Sequence, residues 1–164
     1  GYIDRKKIGN LVFGTPENMG RWMKAIGNIE DEMRTTVENW RATLGDDDVA
    51  ILEAVNLIEA DYSAWCDATW LVAAEDAIAL PRLIARNAFS EEEAQQRLGA
   101  QRKWTDRAAA ADHIFHNDGS YEDFIAEVDQ TFRETKEQHS AGTLAKSVWF
   151  AWREANPKPD ATQS

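Results

Sequence analysis

Three short apolar runs interrupt a chain whose hydrophobic residues otherwise return at helical spacing. Val49-Ala50-Ile51-Leu52, Thr69-Trp70-Leu71-Val72-Ala73 and His113-Ile114-Phe115 lack the strict apolar–polar alternation of a half-exposed strand. Runs of this kind mark strands covered on both faces, as in parallel sheets. Around them the period changes. Ile3, Ile8, Leu11, Val12 and Phe13 predict a helix beginning near Asp4, and Trp22, Met23 and Ile26 form the apolar side of a second. A third is expected from Ile29 to about Leu44. Ile125, Val128 and Phe132 predict a helix starting near Ser120, and Leu144, Val148, Trp149 and Trp152 a last one over Thr143 to Glu154. Short strands separated by helical patterns define an α/β sheet with crossover helices.

The breaks are as informative as the runs. Thr15-Pro16 reads as an N-cap followed by proline at the first helical position, and Gly27-Asn28 separates the second and third helices. Gly45-Asp46-Asp47-Asp48 is a polar turn. Pro81 lies inside the helical pattern after the second strand, where its missing N–H predicts a kink or a late start. Ser90-Glu91-Glu92-Glu93 is a capping box, in which the serine accepts from a backbone N–H and Glu93 reaches back to the cap. The helix it opens carries little more than Ala94 and Leu98 as an apolar stripe, so it is expected to stand off the body. Glu122 and Asp123 suit the first turn of their helix. Pro157 and Pro159 close the last helix, and residues 156–164 are expected to form a disordered tail.

Composition narrows the function classes. The 164 residues suffice for one domain, and 43% hydrophobic with 29% charged residues reads as soluble and globular. No apolar run approaches the roughly 18 residues of a membrane span. The net charge of −11 argues against nonspecific nucleic-acid binding. Yet Arg82, Arg86, Arg97, Arg102, Lys103 and Arg107 face only Glu91, Glu92, Glu93 and Asp106 in the same interval. That local positive excess suits the reception of an anion. Cys66 is the single cysteine; it excludes an internal disulfide, reads as a small buried hydrophobe and fits a reducing, cytoplasmic setting. His113 and His116 fall on opposite faces of a strand, so they form no metal site.

The blocks Arg82-Leu83…Ala85-Arg86-Asn87, Ser90-Glu91-Glu92-Glu93-Ala94, Ala100-Gln101 and Ala111-Asp112-His113-Ile114…Asn117-Asp118-Gly119-Ser120 occur in an order that resembles the back half of the dephospho-CoA kinases. Ile3-Asp4-Arg5-Lys6…Val12-Phe13…Pro16-Glu17 and Leu52-Glu53…Leu57-Ile58-Glu59-Ala60 resemble two further family blocks. The resemblance spans roughly residues 2 to 132. It implies a P-loop nucleotide-kinase-like parallel sheet with a helical CoA-binding insertion and a lid. The implied activity is ATP-dependent, magnesium-assisted phosphorylation of the ribose 3′-hydroxyl of dephospho-CoA. Residues 1–155 would then be a partial kinase-like domain: a helical substrate block at about 3–44, core strands and lid at about 49–132, and a C-terminal helix at about 143–154. No G-x-x-x-x-G-K-[ST] occurs in the sequence, although the family begins with one. With Gly1 where an initiator methionine is expected, this suggests a piece lacking its first strand and phosphate loop, inactive alone.

The resemblance also assigns candidate roles. Arg82 stands at the family's lid arginine, where a guanidinium neutralises charge on a transferring phosphoryl group. Arg86, four residues on, shares its helix face. The competing reading of both is a pair of solvated arginines. Glu53 ends the first apolar run, and in α/β folds the carboxyl ends of strands face the ligand. The family usually places an aspartate there, with a proline where Val55 stands. Glu59 matches a family glutamate, with a helix-terminal ion pair as the alternative. Arg107 in the lid-return segment reads as an ordinary ion-pair partner. The family uses the region of Asn117 and Gly119 against the ATP base, whereas Asn-Asp-Gly is equally good turn chemistry. Where the family has a His-Pro pair after its second helix, Asn28-Ile29 stands here. Two other classes remain open: a non-catalytic descendant of the kinase serving as a regulatory or interaction domain, and a purely helical interaction protein.

Overall fold

The computed structural model describes residues 7–8, 11 and 15–158. The expected helix from Asp4 to Phe13 lies mostly outside these residues, as does most of the predicted tail. The chain divides into two compact units, residues 1–50 and 51–164.

In the first unit, α1 (Pro16–Ile26) and α2 (Ile29–Thr43) begin as their local chemistry dictates. The Asn18 amide donates to Thr15 Oγ1 at 3.3 Å, with Pro16 in the first helical position. Gly27 takes φ +82°, a left-handed conformation that ends α1 without the Cβ penalty of other residues. Asn28 then caps α2 by accepting from the Asp31 amide. The Gly45–Asp48 turn closes on itself, the Gly45 amide donating to Asp48 Oδ2 at 2.9 Å.

The second unit is built on two parallel strands, β1 (Trp70–Ala73) and β2 (His113–His116), in register Trp70 with His113 through Ala73 with His116. Side-by-side parallel strands need a crossover. Here it consists of α3 (Asp76–Asn87), α4 (Glu91–Gly99) and two single-turn 3-10 helices, Trp104–Asp106 and Ala108–Ala110. After β2 come α5 (Tyr121–Ser140), capped by Ser120, and α6 (Trp149–Ala155). Phe115, 2% exposed, meets Trp70 and Phe124 edge-on. Burying such a ring contributes roughly 1.5–3 kcal/mol. A second cluster joins Ile58, Ala110 and Trp149, with Leu57, Phe150 and Trp152 packed against it. It seats α6 on the turn before β1 and on the end of the crossover.

Five expectations need correction. Val49–Leu52 is not a strand: it has no regular structure and no ladder partner among the described residues, and Ile51 is 76% exposed. Apolar composition cannot make a strand where no neighbour supplies hydrogen bonds. The segment leading to β1 holds turns and a 3-10 turn, Tyr62–Trp65, instead of a crossover α-helix. β1 is not covered on both faces, since Val72 is 59% exposed. α4 does not stand off: Ala94 is completely buried and α4 packs against α3. The methyl of an alanine is small enough to let two helices approach closely. The last helix starts at Trp149, not Thr143, because the Asp112 carboxylate draws the Ser147 hydroxyl and the Val148 amide to itself. Pro81 sits inside α3, which begins at Asp76, so no late start occurs.

Candidate functional site

Backbone pairing continues past both ends of the short sheet. The Asp112 amide donates to Thr69 O at 2.7 Å and the Asn117 amide to Ala73 O at 2.8 Å. Asn117 therefore stands at the carboxyl ends of the two parallel strands, where α/β folds receive ligands. α3 rises from the same end and carries Arg82 across to it. Arg82 Nη1 donates to Asn117 O at 2.6 Å and to Asn117 Oδ1 at 3.2 Å. With Oδ1 occupied, the Asn117 amide presents its Nδ2 donors. Neither these nor the remaining N–H groups of Arg82 have a protein partner among the described residues. Arg82 is exposed.

The neighbouring residue completes the cradle. Asp118 Oδ1 accepts from the Glu75 amide at 2.9 Å, capping the start of α3 from the opposite loop. A carboxylate there also complements the positive end of the helix dipole. Its other oxygen lies 3.8 Å from His116 Nδ1, and the His116 ring stands edge-on to Trp104 at 5.2 Å. A Cβ on Gly119 would meet no heavy atom within 4 Å, so the face above this loop is open. The arrangement offers a guanidinium for an anion and an amide for the edge of a base.

The other candidates lie elsewhere. Arg86 Nε donates to the adjacent Asn87 Oδ1 at 3.0 Å. Glu53 is exposed on the irregular segment after Val49. Glu59 and Arg107 find each other: Glu59 Oε1 lies 2.7 Å from Arg107 Nε, with both side chains about 80% buried (19% and 20% exposed). The N–H is not aligned on the oxygen, so the contact is an ion pair without a formal hydrogen bond. Arg107 is thus an ion-pair partner, and Glu59 makes an ion pair from a turn, not from a helix terminus. His113 and His116 keep separate company, His113 pairing with Glu127 at 2.9 Å.

Two residues escaped the sequence reading. Asp118 was seen only as part of a turn, and its bond to Glu75 spans 43 residues. Asp112 accepts from the Thr69 amide and the Ser147 hydroxyl, each at 2.7 Å, and from the Val148 amide at 2.9 Å. An aspartate directly ahead of a strand was the available signal for it; its distant partners left none.

The unit is thus a mixed α/β fold with a small parallel sheet and arginine and asparagine donors at the strand carboxyl ends. The family model for dephospho-CoA kinase matches residues 1–123. The chain belongs to the dephospho-CoA kinase family. It is 31% identical over 134 residues to the dephospho-CoA kinase of Streptococcus mutans, covering 81% of this chain and 66% of that protein. It is 34% identical over 122 residues to that of Streptococcus agalactiae, covering 73% and 60%. For the Parasynechococcus marenigrum protein the figures are 33% over 126 residues, 77% and 62%. The chain thus spans 60 to 66% of the length of these relatives.

Proposed function

We propose that this chain is the lid and base-reading portion of a P-loop-type kinase that transfers the γ-phosphoryl group of ATP to the ribose 3′-hydroxyl of dephospho-CoA, in the cytoplasm. The observation that carries the reading is the Arg82–Asn117 contact at the strand ends. In it the arginine that resembles the family's lid arginine stands beside the asparagine of the loop that resembles the family's base-binding region. Arg82 supplies a positive charge for the phosphoryl oxygens, and charge placement is most of what such an enzyme does. Asn117 donates through Nδ2 to an acceptor on the adenine edge, beside Gly119, where nothing crowds the backbone within 4 Å of a Cβ. Arg86 strengthens the local positive field. Glu53 lies in the family-like block of residues 52–60 with its carboxylate exposed to a substrate, whereas Glu59 of the same block is turned against Arg107.

Magnesium fits the exposed Glu53 carboxylate as a hard oxygen donor. The described residues hold no group of three or more metal-ligating side chains, and Mg²⁺ carried by ATP needs only one or two carboxylates besides phosphate and water. When bound, the ion neutralises charge on the β- and γ-phosphates.

The 164 residues contain no phosphate-loop motif, so the backbone N–H groups and lysine that usually grip phosphate are not among them. The chain alone should bind ATP no better than about millimolar, a free energy of about −4 kcal/mol. Fusing to it the part of the Streptococcus mutans relative outside the matched segment should tighten ATP binding, make it magnesium-dependent and give CoA from dephospho-CoA. Micromolar ATP affinity for the bare chain would show that the phosphate site has been placed wrongly. A fusion that binds ATP yet forms no CoA favours the non-catalytic relative.

A further inference from the structure

Residues 124–158 lie beyond the family match, yet α6 reaches back to the segment that carries Glu59. Arg153 makes the connection. Its Nη2 donates to Ile58 O at 2.9 Å and to Glu59 O at 3.3 Å, and lies 2.6 Å from Asp61 Oδ1. Its Nη1 donates to Asn156 O at 3.0 Å, closing the end of its own helix. The guanidinium lies over the rings of Trp152 and Trp149, 4.8 and 5.6 Å from their centroids. The Trp149 indole N–H also donates to Ile58 O at 3.2 Å. One planar cation thus fixes two successive carbonyls and one carboxylate, which a lysine's single ammonium cannot reproduce. Asp61 holds φ +70°, a conformation that aspartate adopts more readily than most residues, and its other oxygen lies 2.6 Å from Lys158 Nζ.

The segment so held projects Glu59 against Arg107. Both carboxylate oxygens of Glu59 are shut off from solvent and accept no aligned hydrogen bond. Arg107 is therefore their main counter-charge, and a buried carboxylate left without one is costly. Arg107 is the joint between the two 3-10 turns that return the chain from α4 to β2. Three residues on, Ala110 is buried in the cluster with Trp149. The return segment is consequently anchored on the surface that α6 builds.

We propose that Arg153 is a positioning residue that holds the return hinge of the α4 arm, residues 100–107, by orienting Glu59 for its ion pair with Arg107. Its bearing on nucleotide binding rests on the kinase reading, in which that arm closes over ATP. The hinge itself does not depend on that reading.

The test uses the 164-residue chain without ligand. Arg153→Ala should speed amide hydrogen exchange across residues 100–107 by about tenfold, mid-range for coupled members of one network. The Arg107 Nε–H resonance should move to its position in Glu59→Gln, while β1 and β2 keep their protection. Arg153→Lys retains the charge and is the fallback if the alanine variant does not fold; it should give a smaller change of the same kind. Phe150→Leu is the control, since it loosens the packing of α6 without touching the polar links. It should leave the Arg107 resonance in place. An unmoved Arg107 resonance in folded Arg153→Ala, or an equal displacement in Phe150→Leu, overturns the proposal. An intact hinge signature together with a fusion to the Streptococcus mutans segment that neither binds ATP nor forms CoA overturns the kinase reading alone.

Discussion

Arg82 on α3 and Asn117 at the end of β2 are joined by one nitrogen, Nη1, which donates to both the carbonyl and the side-chain oxygen of the asparagine. The double contact fixes which way the amide faces. It also ties the helix after β1 to the loop after β2.

Replacing that arginine should leave the fold intact and remove function. Arg82 is exposed, so Arg82→Ala should cost only about 0.5–1 kcal/mol of stability. In the fused enzyme, loss of one transition-state charge contact should lower kcat by about 10²–10³. Unfolding curves and steady-state rates on the same preparation separate the two effects. An unchanged kcat would remove Arg82 from the chemistry.

Asp112 should behave in the opposite way, as a residue of the framework. Asp112→Ala leaves the Thr69 amide and the Ser147 hydroxyl without their acceptor, and both residues are almost completely buried. Urea denaturation should show a loss of about 2–3 kcal/mol, since hydrogen bonds to charged groups are worth more than neutral ones. Ser147→Ala should cost about 1 kcal/mol on the same grounds. Equal losses in the two variants would mean that the Thr69 and Val148 bonds contribute little.

Ala88 offers a gain. It ends α3 at φ +53°, ψ +37°, a left-handed conformation that costs a residue bearing Cβ roughly 1–2 kcal/mol. Ala88→Gly relieves this but gives the unfolded chain more freedom, leaving a net stabilisation of about 0.5–1 kcal/mol. A lower urea midpoint for the glycine variant would contradict the assignment of strain there.

Self-association is expected of the unmodified chain. Ile51, Val55 and Val72 are 76%, 87% and 59% exposed, and exposed apolar side chains invite association. Sedimentation velocity over a concentration series should show oligomers that Ile51→Lys with Val55→Lys suppresses. The double variant should keep its unfolding free energy, because exposed substitutions usually fall within about ±0.5 kcal/mol. A wild-type chain that stays monomeric throughout would show that these side chains are harmless.

What the sequence made legible was chemistry confined to a few neighbouring residues. The Ser90–Glu93 capping box, the Thr15 cap and the Ser120 start of α5 all close within three residues. Strands β1 and β2 were legible as unbroken apolar runs. Val49–Leu52 has the same composition, but a parallel strand exists only if another backbone lies beside it, and composition does not report that. Likewise, Arg82 and Asn117 were each legible as candidates, while their contact, 35 residues apart, was not. The false start of the last helix has the same origin, since Ser147 answers to an aspartate 35 residues upstream.

The side-chain ties at the two ends of β2 also bear on how the sheet can go wrong. A slip of one residue between β1 and β2 would turn Phe115 out of the core, because the two faces of a strand exchange at each step. The same slip would carry Asp112 away from Thr69 and α6, and Asn117 away from Ala73 and Arg82. Four residues of ladder would ordinarily be too few to specify their own alignment. Here a misaligned sheet loses its aromatic anchor and both end fastenings together, so the nearest wrong alignment lies far above the right one in free energy.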